Sequence, residues 1–321
     1  MKMKKIIALL LVAVMAMSLM VGCGQEKEEP LEFVFIGPMS GGAAWSQAEK
    51  GFYAACEELG IDGQYLSPVE RNNVIEIANL LEQSVTQEVD AAIGVFLSAE
   101  MFGPALTKGR ENGMVTASVQ MTLSEEYIDF QIGTDQAGLG RKMAEALIEL
   151  ADGKEVTMIW MCGGAGETQN MQYAAFQEAI KGHDNITDLG MRFDEGSAAT
   201  ANQILVDELT ANPGLNCVLC LDSSAATIGT ASFVDERGLE DEWLTIGIDA
   251  SADILNYVKA GALDATMNQD FYAMGYKSTH MAYELIVNNK KPDSFKNDSG
   301  CYLIRPSEVD QYAKDNNIDL G

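Results

Sequence analysis

The sequence predicts an α/β protein made of two doubly wound parallel-sheet lobes joined by a multi-strand hinge. Apolar strand runs alternate with helical stretches along the chain, the pattern of a parallel sheet covered by helices on both faces. The alternation restarts near Gly133, as if one β-α-β-α-β unit were written twice. A length of 321 residues also exceeds what a single hydrophobic core usually serves.

The chain begins outside that pattern. Lys2, Lys4 and Lys5 precede an apolar run from Ile6 to Val21 broken only by Ser18, and Gly22-Cys23-Gly24 follows. A basic head, a short apolar run and a small-residue end read as a secretory signal peptide over 1–22. The run of about 16 residues is short for a membrane span of ~20. Leu19-Met20-Val21-Gly22-Cys23 resembles the bacterial lipobox, with Met20 where a branched apolar residue is usual. That resemblance implies cleavage before Cys23, lipidation of its thiol and an extracytoplasmic protein anchored to the cell membrane. Residues 23–31, polar and without periodicity from Gln25 to Pro30, read as a tether.

The first lobe opens with the strand Phe33–Ile36, a Gly-rich loop Gly37–Ala44 and a helix Trp45–Leu59 stopped by Gly60. A strand Gly63–Ser67 precedes a helix Asn73–Thr86, which keeps Val74, Ile77, Ala78, Leu81 and Val85 on one face. Asp90–Phe96 is a strand buried on both faces, and Val115–Val119 another. After Asp135 a helix carries Leu139, Met143, Leu147 and Leu150 on one side. The strand Val156–Met161, the loop Cys162–Glu167, a helix Asn170–Ile180, a strand Leu189–Phe193, a helix Thr200–Thr210 and the strand Cys217–Leu221 repeat the first half. Crossings between lobes are expected at Gly133–Asp135, Asn268–Phe271 and within Asp293–Gly300. The N-terminal lobe then comprises 32–133 plus about 271–296, and the C-terminal lobe about 134–270 plus about 297–321.

Charge and motifs exclude several classes. The whole chain carries a net charge of −27. Loss of residues 1–22 removes three lysines and leaves 18 basic against 48 acidic residues, a net charge of −30. Such a surface repels phosphate backbones, so no nucleic acid is expected as partner. Cys217 and Cys220 form C-x-x-C inside the apolar run CVLCL. Residues three apart on a strand face opposite sides, so they share no metal and read as buried core. His183 and His280 are the only histidines, and no zinc constellation appears. Neither GPMSGG nor CGGAGE completes a nucleotide-binding fingerprint, and no G-x-S-x-G or H-E-x-x-H is present. The glycines of those loops serve tight turns or admit a neutral polar ligand closely. No cofactor, no metal and no catalysis are expected.

The order of these pieces resembles the type I periplasmic binding proteins of the ribose- and galactose-binding family. The resemblance runs from about Glu32 to Tyr312. It is carried by Trp45-x5-Gly51-Phe52, by GTDQAGLGRKMAEAL from Gly133 and by LTIGIDASADILNYVKAGALDATMNQD from Leu244. In that family polar side chains grip hydroxyls in the interlobe cleft and aromatic plates cover the ring. The resemblance implies ligand-binding roles for Trp45 as a plate, Asp249 as a carboxylate accepting from two hydroxyls, and Gln269 at the second crossing. Asp222 and Ser223 stand where an asparagine is usual, and Gln120-Met121 where an Asp-Arg pair is usual. Asn170 and Gln172 fall in the helix that usually aims an arginine into the cleft, and Gly196 stands in place of a second plate. These departures replace charged grips by amides, which still donate and accept. Trp45 alone also reads as core packing. The implied protein is a monomer that presents a small polar, sugar-like ligand to the permease of an ABC importer. The alternative is a ligand-sensing partner of a membrane receptor or kinase, or the binder of a related signal or nucleoside.

Overall fold

The computed structural model describes residues 29–321. The signal-peptide reading over 1–22 and the lipidation of Cys23 lie outside the described residues. The first sheet contains β1 (Glu32–Ile36), β2 (Asp62–Leu66), β3 (Ala91–Gly94), β4 (Val115–Val119), β5 (Phe130–Gly133) and β11 (Lys296–Asp298). Its order is β11-β5-β4-β3-β1-β2, and every pairing is parallel. The second sheet contains β6 (Val156–Cys162), β7 (Ile186–Phe193), β8 (Cys217–Cys220), β9 (Leu244–Ile248), β10 (Ala265–Gln269) and β12 (Cys301–Ile304), in the order β12-β10-β9-β8-β6-β7. Here β12 pairs antiparallel with β10, so the last strand departs from the all-parallel expectation. The chain re-enters this sheet at its edge through the short turn Ser299–Gly300, with no helical crossover to reverse it.

Ten helices cover the sheets among the described residues: α1 (Ala43–Leu59), α2 (Val74–Thr86), α3 (Ala99–Glu111), α4 (Gln136–Ala151), α5 (Glu167–Ala179), α6 (Ala198–Ala211), α7 (Ala226–Arg237), α8 (Ala252–Ala260), α9 (Phe271–Asn288) and α10 (Val309–Asp315). None is long and apolar enough to cross a membrane. Several begin where a polar side chain satisfies a free first-turn N–H. Asn73 accepts from Glu76, Ser98 from Met101, Ser251 from Ile254 and Asp270 from Ala273. The strands β3, β4 and β8 are buried on both faces, which is why they read as unbroken apolar runs. Cys217 and Cys220 pack into separate apolar clusters, one on each face of the second sheet.

The two halves repeat each other in detail. The helices α4 and α9 both start after an aspartate N-cap, Asp135 and Asp270, which follows the strand within two residues. Counted in step from these aspartates, Gly140 matches Gly275, and both sit where helices touch. A Cβ on Gly275 would lie 2.0 Å from the Ala48 carbonyl oxygen of α1, and one on Gly140 2.0 Å from the Gln172 carbonyl oxygen of α5. Only glycine lets the backbones approach so closely.

Three crossings join the sheets, and they are bonded to one another. The Ser299 N–H donates to the Gly133 carbonyl at 2.8 Å, and the Asp270 N–H to the Gly300 carbonyl at 3.0 Å. Asp298 Oδ1 accepts from the N–H groups of both Asp135 and Gly300 at 2.9 Å. Because β11 pairs with β5 through Asp298, the chain stays with the first sheet to that residue, slightly beyond the boundary expected near 296.

Candidate functional site

In each sheet the strand order reverses beside the first strand of the repeat, between β1 and β3 and between β6 and β8. Doubly wound sheets bind ligands beyond the carboxyl ends of strands at such points. A cavity of about 650 Å³ opens there between the lobes. The first lobe contributes Trp45, Gln47 and Arg71 to its wall, and the second contributes Ser223, Asp249 and Tyr312. Asn268, Gln269 and Phe271 enter from the second crossing.

The aromatic wall is built locally. Trp45 occupies the first turn of α1 and meets Phe271, the first residue of α9, edge to face at 5.3 Å between ring centroids. Both helices are held at this distance by the Gly275 contact, so the aromatic pair is fixed by packing. Gln47 is buried, with Nε2 donating to the Asn316 carbonyl at 3.5 Å and Oε1 without a partner. That bond and the one from Lys50 Nζ to the Asp315 carbonyl, 2.5 Å, join the first lobe to the end of α10 and the residue after it.

The polar wall centres on Asp249. It follows β9 with φ 63°, a left-handed conformation that Asp and Asn adopt more readily than other side chains. Its Oδ1 accepts from Gln269 Nε2 at 3.0 Å. Its carbonyl accepts from Thr266 Oγ1 at 2.7 Å. Burial pushes the Asp249 carboxyl above the usual carboxylate range, and hydrogen bonds from Gln269 and Ser223 partly offset this. Gln120 is its counterpart in the first lobe. It follows β4 with φ 63°, its N–H donates to Ile132 as that of Asp249 donates to Met267, and its Nε2 donates to Gln269 Oε1 at 3.3 Å. Gln120, Gln269 and Asp249 thus form one hydrogen-bonded row across the hinge.

The remaining expected residues fall elsewhere. Asp222 caps α7, its Oδ1 accepting from the N–H groups of Ala225 and Ala226 at 2.8 and 3.0 Å. Its Oδ2 is buried without a partner, as is Oδ2 of the fully buried Asp194, and the two flank Gly163. Burial and the Asp222 charge push Asp194 up to about 6. The helix α5 starts at Glu167, three residues before the expected start, and Asn170 in its first turn is exposed. Gln172 turns inward, 3% exposed, and donates to Gln136 Oε1 at 2.6 Å. Gln172 is therefore a contact between α4 and α5, at the place Ala48 holds in the first half. Gly196, at φ 74°, donates its N–H to Asp194 Oδ1. Sequence reasoning missed Gln47, Arg71, Asn268, Phe271 and Tyr312. Of these only Asn268 and Phe271, beside the second crossing, carried a local signal.

A family model described as a periplasmic binding protein domain matches residues 33–291. Among solved structures, the chain is similar to an arabinose-binding protein from Geobacillus stearothermophilus, with a TM-score of 0.80 and 20% identity over 88% of this chain and 99% of that one. It is also similar to a sugar-binding protein of a sugar ABC transporter from Bacillus halodurans, with a TM-score of 0.79 and 19% identity over 88% and 99%. A glucose-galactose-binding protein from Geobacillus stearothermophilus matches with a TM-score of 0.69 and 23% identity over 88% and 99%. Identities this low establish the shared fold.

Proposed function

The chain belongs to the periplasmic binding protein family, and from that premise we propose that it captures a small sugar-like molecule between its lobes and performs no chemistry on it. The observation that supports this reading most is the interlobe cavity. It sets an aromatic side chain, Trp45, on one lobe and a hydrogen-bond-accepting carboxylate, Asp249, on the other. An aromatic face covers the apolar side of a sugar ring, and an ionised carboxylate accepts from two neighbouring hydroxyls. A ligand that touches both lobes favours the closed arrangement, because only that arrangement gives it both sets of contacts. The closed form is the one presented to an ABC permease. Lipidated Cys23 anchors the protein outside the cytoplasm.

Thermal-shift screening of monosaccharides, polyols, furanose-type signals and nucleosides tests the ligand class. Stabilisation by at least one sugar-like compound is expected. Stabilisation by amino acids or peptides alone refutes the reading. Labelling of the expressed protein with a fatty-acid probe, lost in Cys23→Ser, tests the anchor.

A further inference from the structure

Away from the three crossings, two hydrogen bonds join the lobes among the described residues, and both run from α1 to the end of α10. Lys50 Nζ donates to the Asp315 carbonyl at 2.5 Å, and Gln47 Nε2 to the Asn316 carbonyl at 3.5 Å. Asp315 closes α10 and Asn316 is its C-cap, so both carbonyls belong to a helix end that lacks intrahelical donors. Lys50 is the one basic residue of α1, and its charge makes it the stronger donor of the two by roughly twofold.

Each end of this link is fixed in its own lobe. In the first lobe α1 is locked against α9, where a Cβ on Gly51 would stand 2.1 Å from the Tyr272 carbonyl oxygen. In the second lobe Val309 and Ala313 seat α10 in the apolar core. Lys259 of α8 pairs with Asp310 at 2.7 Å, and Asn256 Nδ2 donates to the Leu320 carbonyl at 3.0 Å. The same helix α10 carries Tyr312, which lines the cleft together with Asp249.

We propose that Lys50, assisted by Gln47, is a positioning residue: it clasps the end of α10 and so holds the two lobes, and Tyr312 with them, in the arrangement that receives the ligand. The effect on affinity rests on the reading of the cleft as a ligand site; the effect on the lobes does not. Gln47 and Tyr312 line the same cavity from opposite lobes, so the clasp lies at the wall of the space that opening enlarges. Opening carries α1 with the first sheet and α10 with the second. A hydrogen bond of 2.5 Å is lost once its atoms part by about 1 Å, whereas the crossings bend without separating. Lys50 is exposed, so water competes for its ammonium and the clasp is weak enough to break and form again. Whatever weakens the clasp lowers the fraction of molecules ready to bind, and apparent affinity falls with that fraction.

The test measures the lobes directly. Spin labels at Glu82→Cys on α2 and Asp241→Cys beyond α7, in the full chain carrying Cys23→Ser, give the distance between lobes by pulsed EPR without ligand. The other five cysteines are buried and stay unlabelled. Lys50→Met should shift the distribution to longer distances, and Lys50→Arg, which keeps a charged donor, should restore that of the wild type. Calorimetric titration with D-arabinose and D-galactose follows. The Kd of whichever binds should rise about three- to tenfold in Lys50→Met and stay within about twofold in Lys50→Arg. Distances in Lys50→Met that match the wild type overturn the clasp, as does a shift that Lys50→Arg leaves in place. Because the distances are read on the unliganded protein, they decide the clasp even where neither sugar binds, an outcome that bears on the cleft reading alone.

Discussion

Replacement of Asp249 separates an anchor from a structural residue, provided the substitution suits the backbone. At φ 63° an alanine adds a strain of roughly 1–2 kcal/mol that has nothing to do with ligand. Asparagine tolerates this conformation and can still accept from Gln269 Nε2, so Asp249→Asn changes charge and little else. Hydrogen bonds to an ionised group contribute roughly 1.5–3 kcal/mol against about 1 for neutral pairs. In the variant an N–H₂ donor replaces one acceptor, which leaves a bound hydroxyl mispaired at a cost of about 1–3 kcal/mol. Affinity should fall roughly tenfold to hundredfold. The empty protein should melt no earlier, because burial already disfavours the Asp249 charge. Calorimetric titration with the ligand identified by screening, beside thermal unfolding of the unliganded protein, decides it. Unchanged affinity combined with an earlier melt refutes the assignment and makes Asp249 a support for Gln269.

Asp194→Asn supplies a permanent donor toward Asp222 where the wild type needs a proton. The folded protein holds that proton up to about pH 6 while the unfolded chain releases it near 3.8, so stability falls as pH rises through this window. The variant should be more stable at pH 7.5, on the order of 1–3 kcal/mol by urea unfolding, with no advantage below about pH 4; a variant less stable at pH 7.5 contradicts the buried pair. Gly275→Ala drives a Cβ into the Ala48 carbonyl and should cost about 2–4 kcal/mol in the same assay. Gly60→Ala, whose Cβ meets nothing but whose φ is 69°, should cost only about 1 kcal/mol. Cys217 and Cys220 are fully buried, and burial pushes Cys220 up to about 12, so a water-soluble disulfide reagent at pH 8 should label neither until denaturant is added.

The alternation of strands and helices and its repeat were legible because strands buried on both faces leave unbroken apolar runs. What was lost had local causes. β7 begins at Ile186, but its register against β6 shifts between Met158 and Trp160, and Gly190 sits at φ 94°. The expected strand therefore starts only at Leu189 and misses Ile186 to Asp188. Gln172, placed by the family resemblance, packs between α4 and α5. The start of α5 at Glu167 has no capping side chain to mark it, so the sequence places it three residues late. Arg71 and Tyr312 reach the cavity from a loop and from the last helix, where only the tertiary fold brings them to Asp249.

The repeat also bears on how a ligand acts on the hinge. Gln120 and Asp249 hold equivalent places with equal φ, yet one is an amide and the other a carboxylate. A carboxylate only accepts, whereas an amide also donates. Gln269 can therefore donate to Asp249 while accepting from Gln120, and the row has a single direction of hydrogen bonding from the first lobe to the second. A hydroxyl that donates to Asp249 Oδ1 shares that oxygen with Gln269, whereas one that donates to Oδ2 leaves the Gln269 bond in place. If Gln269 rotates away, the bond to Gln120 goes with it, although neither Gln120 nor the first lobe need touch that hydroxyl. Gln269 immediately precedes Asp270, whose N–H donates to the Gly300 carbonyl in the third crossing. Two carboxylates in these places would leave Gln120 unable to donate, and two amides would give the row no fixed direction. The departure from symmetry at this one pair of positions is what gives the row its direction.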